Sequence, residues 1–311
     1  MTLHIASCAY SIEPLTDFDA FADKQARLVG EAARAGAQLL VFPEYGSVEL
    51  TSTLPDAQRG ALARELNAMA PLLGPMLEVY AELAKHHGVY ILSPSFPERV
   101  QASPAQEAAR FDASTRVARY HNRAHLHGPT GSLAYTEKRQ MTRFESEQWG
   151  VSSGAVSRVF DTELGTLGVA ICYDCEFPLL VRRQVAAGAD LILVPACTDT
   201  LAGYHRVHIA CRARALENQC YVAQACTVGD APWSIPLDRN VGAAGVYGPI
   251  EQSLFPDGIV AQGKLNESGW VYADLDLAAL VRARREGQVR NKQDWDLPGH
   301  LEGVVERVNV G

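Results

Sequence analysis

The sequence predicts an α/β fold whose two similar halves pack into one sandwich, and two observations carry that expectation. The first is a β-α-β unit at the start of the chain. Leu3 to Ala9 is a strand-length run, and Asp17 to Ala35 places Phe18, Phe21, Ala22, Leu28, Val29 and Ala32 at helical spacing. Gln38 to Phe42 is then a continuous apolar run, the pattern of a parallel strand buried on both faces. The second observation is an internal echo. Ala35-Gly-Ala-Gln-Leu-Leu-Val-Phe-Pro43 and Ala187-Gly-Ala-Asp-Leu-Ile-Leu-Val-Pro195 share a helix end, a strand and a closing proline at the same spacing.

The remaining elements follow in order. Gly36 closes the first helix, and Ala57 to Ala70 and Pro75 to His87 read as two more, the latter ended by Gly88 and followed by the strand Val89 to Ser93. Ser103 to Asp112 is small and polar, an exposed loop. Thr115 to His127, the turn Gly128-Pro-Thr-Gly131, and Ser132 to Lys138 make a hairpin, because a Gly/Pro turn separates two runs of alternating character. Arg139 to Gly150 is irregular and mixes Arg143, Glu145 and Glu147 with Phe144 and Trp149, which suits either a pocket wall or a capped surface loop. A buried strand from Leu167 to Ile171, a helix from Glu176 to Ala187 and a strand from Leu191 to Val194 come next. A helix from Tyr204 to Asn218 and a strand from Gln219 to Ala225 follow. Short strands then lie around Ala243 to Val246, Ile259 to Ala261 and Trp270 to Ala273, before a helix from Leu277 to Arg285.

Composition narrows the class. With 311 residues, 47% hydrophobic and 21% charged, the chain can bury a sizeable core. No low-complexity linker divides it, so residues 1–285 are expected to form one domain and 286–311 a C-terminal extension. The net charge of −8 argues against a nucleic-acid or anionic-membrane partner and leaves a small-molecule substrate open. The Met1-Thr-Leu-His start lacks a signal-peptide layout and no apolar run reaches membrane-spanning length. Seven cysteines, an odd number scattered from Cys8 to Cys226, fit a reducing compartment better than a disulfide framework. A cytoplasmic location is the expectation.

The stretch Gly165-Thr-Leu-Gly-Val-Ala-Ile-Cys172-Tyr-Asp-Cys-Glu-Phe-Pro178 reads as a strand-to-helix elbow. A thiol there would project from the sheet edge at a helix N-terminus, where the dipole lowers its pKa. Cys172 is therefore a candidate nucleophile, with a small apolar core cysteine as the competing reading. Glu44 sits just past the end of its strand, where open α/β sheets collect ligands, and Lys138 ends the hairpin. Glu44, Lys138, Glu145 or Glu147, and Cys172 form the set that a thiol-dependent amide hydrolase needs. A carboxylate takes the thiol proton and later activates water, an ammonium stabilises the oxyanion, and the thiolate forms an acyl-enzyme. Backbone N–H groups from about Tyr173 would complete the oxyanion hole.

The motifs Val-Phe-Pro-Glu44-Tyr, Tyr-Thr-Glu-Lys138 and Gly-Val-Ala-Ile-Cys172-Tyr-Asp-Cys-Glu-Phe-Pro, in this order and at fitting separations, resemble the nitrilase, or carbon–nitrogen hydrolase, superfamily. Arg212-Ala-Arg-Ala-Leu-Glu-Asn218 and the tail of strand, Asp-Leu-Asp276 and helix resemble it as well, so the likeness runs from about Leu3 to Trp295. The resemblance implies a four-layer α-β-β-α sandwich, usually a homodimer or higher homo-oligomer, and a Glu-Lys-Cys triad with no metal or organic cofactor. By matching motif Glu44 would be the general base, Lys138 the oxyanion-stabilising cation and Cys172 the nucleophile. Many members add a second glutamate, expected at Glu145 with Glu147 as the alternative. Tyr-Asp after the nucleophile looks more like the amidase, ω-amidase-like and carbamoyl-hydrolysing branches than the Trp-Glu of nitrile-cleaving members. A small amide or N-carbamoyl substrate is expected, a nitrile being the alternative. Tyr173, Arg143, Glu147 and Thr198 are the candidate substrate-binding residues. Arg143 or Arg123 could hold a substrate carboxylate, and Thr198 and Asp199 fall at the pocket mouth if the internal echo is real.

Two rival chemistries remain in the sequence. Cys172-Tyr-Asp-Cys175 is formally the Cys-x-x-Cys of a thiol-disulfide oxidoreductase, although a redox pair has no use for Glu44 and Lys138. His121, His125 and His127 share one strand face by the period of two and are a possible zinc set.

Overall fold

The computed structural model describes residues 2–100, 119–252, 254–295 and 306–309. The predicted loop from Ser103 to Asp112 and the start of the Thr115 strand lie outside them. The first half comprises β1 (Thr2–Ser11), α1 (Phe18–Arg34), β2 (Leu39–Val41), α2 (Leu62–Met69), α3 (Leu73–His87), β3 (Tyr90–Leu92), β4 (Phe96–Val100), β5 (Arg119–His127) and β6 (Leu133–Glu137). The second comprises β7 (Val159–Thr162), β8 (Gly165–Val169), α4 (Pro178–Ala186), β9 (Leu191–Ala196), α5 (Leu201–Asn218), β10 (Tyr221–Asp230), β11 (Arg239–Asn240), β12 (Gly245–Tyr247), β13 (Ile259–Gln262), β14 (Gly269–Asp276), α6 (Leu277–Glu286) and α7 (Asn291–Asp294). The strands β4 and β7, which the sequence pattern did not reveal, lie toward the sheet margins.

Two sheets result. In one, β6, β5, β3, β2, β1 and β14 follow one another, parallel only through β3-β2-β1, and β4 pairs with the early part of β5. In the other the order is β7, β8, β9, β10, β12 and β13, parallel through β8-β9-β10. β1 joins them: Thr2 to Ala9 pairs antiparallel with β14, while Ala9 to Ser11 pairs parallel with Cys226 to Val228 of β10.

The period of two along the strands makes the layers. Leu3, Ile5, Leu39 and Val41 face inward and share one core with Leu191, Leu193 and Ala223 of the other sheet. Their neighbours Ala6, Cys8, Tyr10, Leu40 and Phe42 face outward against Phe21 and Val29 of α1 and Met76, Tyr80 and Ala84 of α3. Val181 and Val185 of α4 and Val207 and Cys211 of α5 cover the second sheet. Each fully buried aromatic or aliphatic side chain contributes about 1.5–3 kcal/mol, so both interfaces are needed to hold four layers together. The chain beyond α6 docks on the end of α5, where the Trp295 indole N–H donates to Glu217 O at 2.9 Å and Lys292 N donates to Gln219 Oε1 at 3.1 Å.

Candidate active site

Glu44 just past β2, Lys138 just past β6 and Cys172 just past β8 bring strand ends of both sheets to one cavity of about 340 Å³. Lys138 Nζ donates to Glu44 Oε1 at 2.8 Å and to both oxygens of Glu145 at 2.7 Å. All three side chains are at most 3% exposed. Glu145 lies on a short π-helical turn, Phe144–Trp149, a rare geometry frequent at functional sites. It also accepts from the Tyr45 hydroxyl at 2.6 Å and from Thr142 N and Oγ1 at 2.9 and 2.8 Å. Glu44 accepts from Asn122 Nδ2 at 2.9 Å, and the Cys172 thiol donates to Cys197 O at 3.6 Å.

Two residues of this cluster hold strained backbone. Tyr45 (φ 55°) and Cys172 (φ 48°) are both left-handed, a conformation costing roughly 1–3 kcal/mol at a non-glycine residue and concentrated at functional sites. Neighbouring bonds hold them there. Tyr45 N donates to Ser95 Oγ at 3.0 Å, and Asp174 N donates to Ile171 O at 3.0 Å across Cys172.

The elbow differs from its sequence reading in one respect. Cys172 opens a 3₁₀ turn, Cys172–Glu176, and α4 starts only at Pro178 because Phe177, preceding a proline, is held extended (φ −103°, ψ 102°). The nucleophile candidate therefore lies off the end of the α-helix, and the predicted lowering of its pKa does not occur. Burial pushes the Cys172 thiol well up and the Glu44 carboxylate pushes it further, against the pull of Lys138. Burial likewise lifts Glu44 to about 7, with Lys138 lowering it and Glu145 raising it. Burial would lower Lys138, but Glu145 and Glu44 outweigh it and hold the ammonium well above its usual range. Glu145 has the opposite balance: burial works to raise its pKa, yet Lys138 and the Tyr45 and Thr142 donors leave it lowered.

Asp174, pushed up to about 6 by burial, ties the nucleophile turn to the lysine segment, since it accepts from Arg139 N at 3.1 Å and Gln140 N at 2.7 Å. Tyr173, Thr198 and Asp199 line the cavity, as do Phe144 and Trp149, so the Arg139 to Gly150 segment is a pocket wall. Arg143 and Glu147 are not among the lining residues. They pair with each other at 2.9 Å, 89% and 52% exposed, because the turn that points Glu145 inward sends its neighbours outward. Arg123 is held by Glu98 and Glu137 at 2.6 and 2.8 Å. His121, His125 and His127 each have a partner, Glu137, Glu98 and Ser93, and among the described residues no three potential ligands converge on a metal position. Cys175 is buried beside Val207 O at 3.9 Å, away from the cavity, which disfavours the redox pairing with Cys172.

Sequence reasoning missed Tyr45, Asn122 and Asp174. For Asn122 a signal existed: it shares the buried register of β5 with Tyr120, Ala124 and Leu126, a polar residue on an apolar face. The rim residues Arg206, Ile235, Asp238 and Arg239 come from segments without a motif.

The carbon–nitrogen hydrolase family profile matches residues 4–285. The chain is 30% identical over 293 residues to the probable hydrolase YhcX of Bacillus subtilis (strain 168), covering 94% of this chain but 53% of that protein, so it spans about half the length of this relative. It is 26% identical to the omega-amidase NIT2-B of Xenopus laevis, covering 87% and 88% of the two chains. Among solved structures, Saccharomyces cerevisiae Nit3, a member of branch 10 of the nitrilase superfamily, superposes with a TM-score of 0.67 at 21% identity over 91% and 93% of the chains. The amidase from Nesterenkonia sp. AN1, in a mutant carrying the acetamide moiety of fluoroacetamide covalently added at its active-site cysteine, gives 0.62 at 22% over 94% and 97%. With its α-β-β-α sandwich and a profile match across nearly its whole length, this chain belongs to the carbon–nitrogen hydrolase family.

Proposed function

We propose that the protein hydrolyses a small amide or N-carbamoyl compound through an acyl-enzyme on Cys172, releasing ammonia or an amine. The observation that carries this reading is the buried Lys138, paired with both Glu44 and Glu145 in the cavity that also holds Cys172. Cys172 meets substrate as a neutral thiol, so its proton passes to Glu44 as sulfur bonds to the acyl carbon. Lys138 and the N–H of Tyr173 face the developing oxyanion, and Glu44 returns the proton to the nitrogen as the C–N bond breaks. In the second half Glu44 takes a proton from water, hydroxide adds to the thioester, and the carboxylic acid leaves as Cys172 regains its proton. Glu145 keeps Lys138 charged and in place. Nucleophile, base and cation come from the chain, and water is the only co-reactant.

Thr198 and Tyr173 are the substrate-facing residues of this reading, and Trp149, Phe144 and Ile235 supply apolar wall for the acyl group. The volume suits a small molecule. The names of the omega-amidase and amidase relatives support an amide over a nitrile, which would need a water added to a thioimidate before ammonia departs. A matched amide and nitrile pair assayed for ammonia release tests the choice. Turnover of the amide or carbamoyl compound with at most trace turnover of the nitrile is expected, and an inert amide beside an efficiently hydrolysed nitrile would reverse the assignment.

The proposed assembly is a homodimer, supported by apolar side chains exposed on the outer helices, Leu179 (63%) of α4 and Ile209 (61%) and Leu216 (40%) of α5. Light scattering at micromolar protein should give at least twice the 33.7 kDa chain mass, and a single monomeric species would exclude it. The seven free thiols support a reducing, cytoplasmic setting, and no described helix is long and apolar enough to cross a membrane.

A further inference from the structure

Glu44 has two carboxylate oxygens, and the surrounding donors treat them unequally. Oε1 receives Lys138 Nζ at 2.8 Å and Asn122 Nδ2 at 2.9 Å. Two donors fill the lone-pair positions of one carboxylate oxygen. Asn122 is fully buried, and its own Oδ1 has no hydrogen-bond partner among the described residues. That orphan oxygen fixes the orientation of the amide, since turning it over would set oxygen against the Glu44 carboxylate and leave the NH₂ without an acceptor. A buried, half-satisfied amide on the apolar face of β5, between Tyr120 and Ala124, is a structural liability that an aliphatic side chain would not carry. The same residue also holds the cation, because Lys138 N donates to Asn122 O at 2.9 Å.

We infer that Asn122 is a positioning residue which, with Lys138, saturates Glu44 Oε1 and thereby assigns all proton exchange with Cys172, leaving group and water to Oε2. The inference rests on the proposed roles of Glu44 and Cys172. Each proton then has one route. The thiol S–H breaks as Oε2–H forms, the same proton moves from Oε2 to the departing nitrogen, and Oε2 next accepts a proton from the attacking water. Oε1 makes no new bond to hydrogen throughout. Without the amide, Glu44 is free to rotate and present either oxygen, and its charged form loses one donor.

The test is the pH dependence of kcat/KM and kcat for Asn122→Ala and the isosteric Asn122→Asp, with Cys172→Ala measured alongside. A hydrogen bond to a charged group is worth about one pH unit, so the acid limb of Asn122→Ala should move up by roughly that much, with kcat falling at least tenfold and KM changing little. Asn122→Asp, which keeps the volume and so the fold, should shift the limb further by setting a second carboxyl against Glu44. Folded variants whose acid limb coincides with that of the wild type, beside an inactive Cys172→Ala, would overturn the role of Asn122 and leave the triad standing. An active Cys172→Ala would instead remove the reading on which the inference rests.

Discussion

Replacing Cys172 with alanine is expected to lower amide hydrolysis by on the order of 10⁴-fold or more while leaving the fold intact, because the reaction loses the atom that carries the acyl group. The turn around it is held by backbone bonds, Asp174 N to Ile171 O and Phe177 N to Asp174 O, that do not involve the thiol. Serine should be nearly as poor. A hydroxyl is a weaker acid and a poorer nucleophile than a thiol, and its shorter C–O bond sets the attacking atom back from the place sulfur occupies. Alanine at Cys8, Cys175, Cys211, Cys220 or Cys226, none of which lines the cavity, should retain activity in every variant that folds. Intact-mass analysis during turnover of a slow substrate should find one acyl group, on Cys172. Full activity in Cys172→Ser would dismiss the mechanism.

The second large effect is expected at Lys138. Lys138→Ala removes the oxyanion cation, worth roughly 10²–10³ in kcat by analogy with other oxyanion donors, and also the charge that holds Glu44 down against burial and Glu145. Glu44 then stays protonated at neutral pH, and the loss exceeds that of the donor alone. Lys138→Arg keeps the charge but cannot place a planar fork where one Nζ serves two carboxylates, so most activity goes with it as well. Stability should change with a definite sign. Glu145 is lowered in the fold, so its contribution is present above its unfolded value of about 4.3 and is lost as pH falls through the folded one. Without Lys138 both carboxyls are raised, and their contribution is instead lost as pH rises. The deficit of Lys138→Ala should therefore be small near pH 4 and widen toward about 3–5 kcal/mol at neutral pH, the cost of an uncompensated buried charge. Denaturant unfolding at the two pH values measures it. An unchanged hydrolysis rate in Lys138→Ala would refute the assignment of the cation.

What the sequence disclosed depended on how local the cause was. Leu39 to Val41 and Leu191 to Val194 are strands because their own residues are apolar, and Pro43 follows the end of β2, whereas β9 runs through Pro195 to Ala196; the Glu44, Lys138 and Cys172 positions follow from the strand ends that precede them. The margin strand β4 is short and set by a partner further along the chain, so nothing in Phe96 to Val100 announced pairing with Arg119 to Arg123, while β7 is the short outer arm of a tight hairpin with β8, Thr162 opposite Gly165. The choice between Glu145 and Glu147 was closed to inspection of residues, because both sit in a polar, irregular segment. The π-helical turn decides which points at Lys138, and a turn of that width has no sequence period of its own. Asp174 was visible only as part of a motif, and its bonds to Arg139 and Gln140 join residues from different sheets.

The double engagement of β1 sets an order on how the molecule is made. Its first eight residues are hydrogen-bonded to β14 and its last three to β10, so β1 finds these partners more than two hundred residues further along the chain. At about 5–20 residues per second, on the order of half a minute passes between the emergence of Thr2 and that of Asp276. Through that interval β2 can dock beside β1 by Ile5 to Ser7, and later β10 by Ala9 to Ser11, but the edge of Thr2 to Ala9 that β14 takes is an unpaired apolar template. Neither half of the sandwich is complete until then. A nascent chain stalled before β14 thus carries an open strand edge on β1, and the emergence of β14 is what removes it.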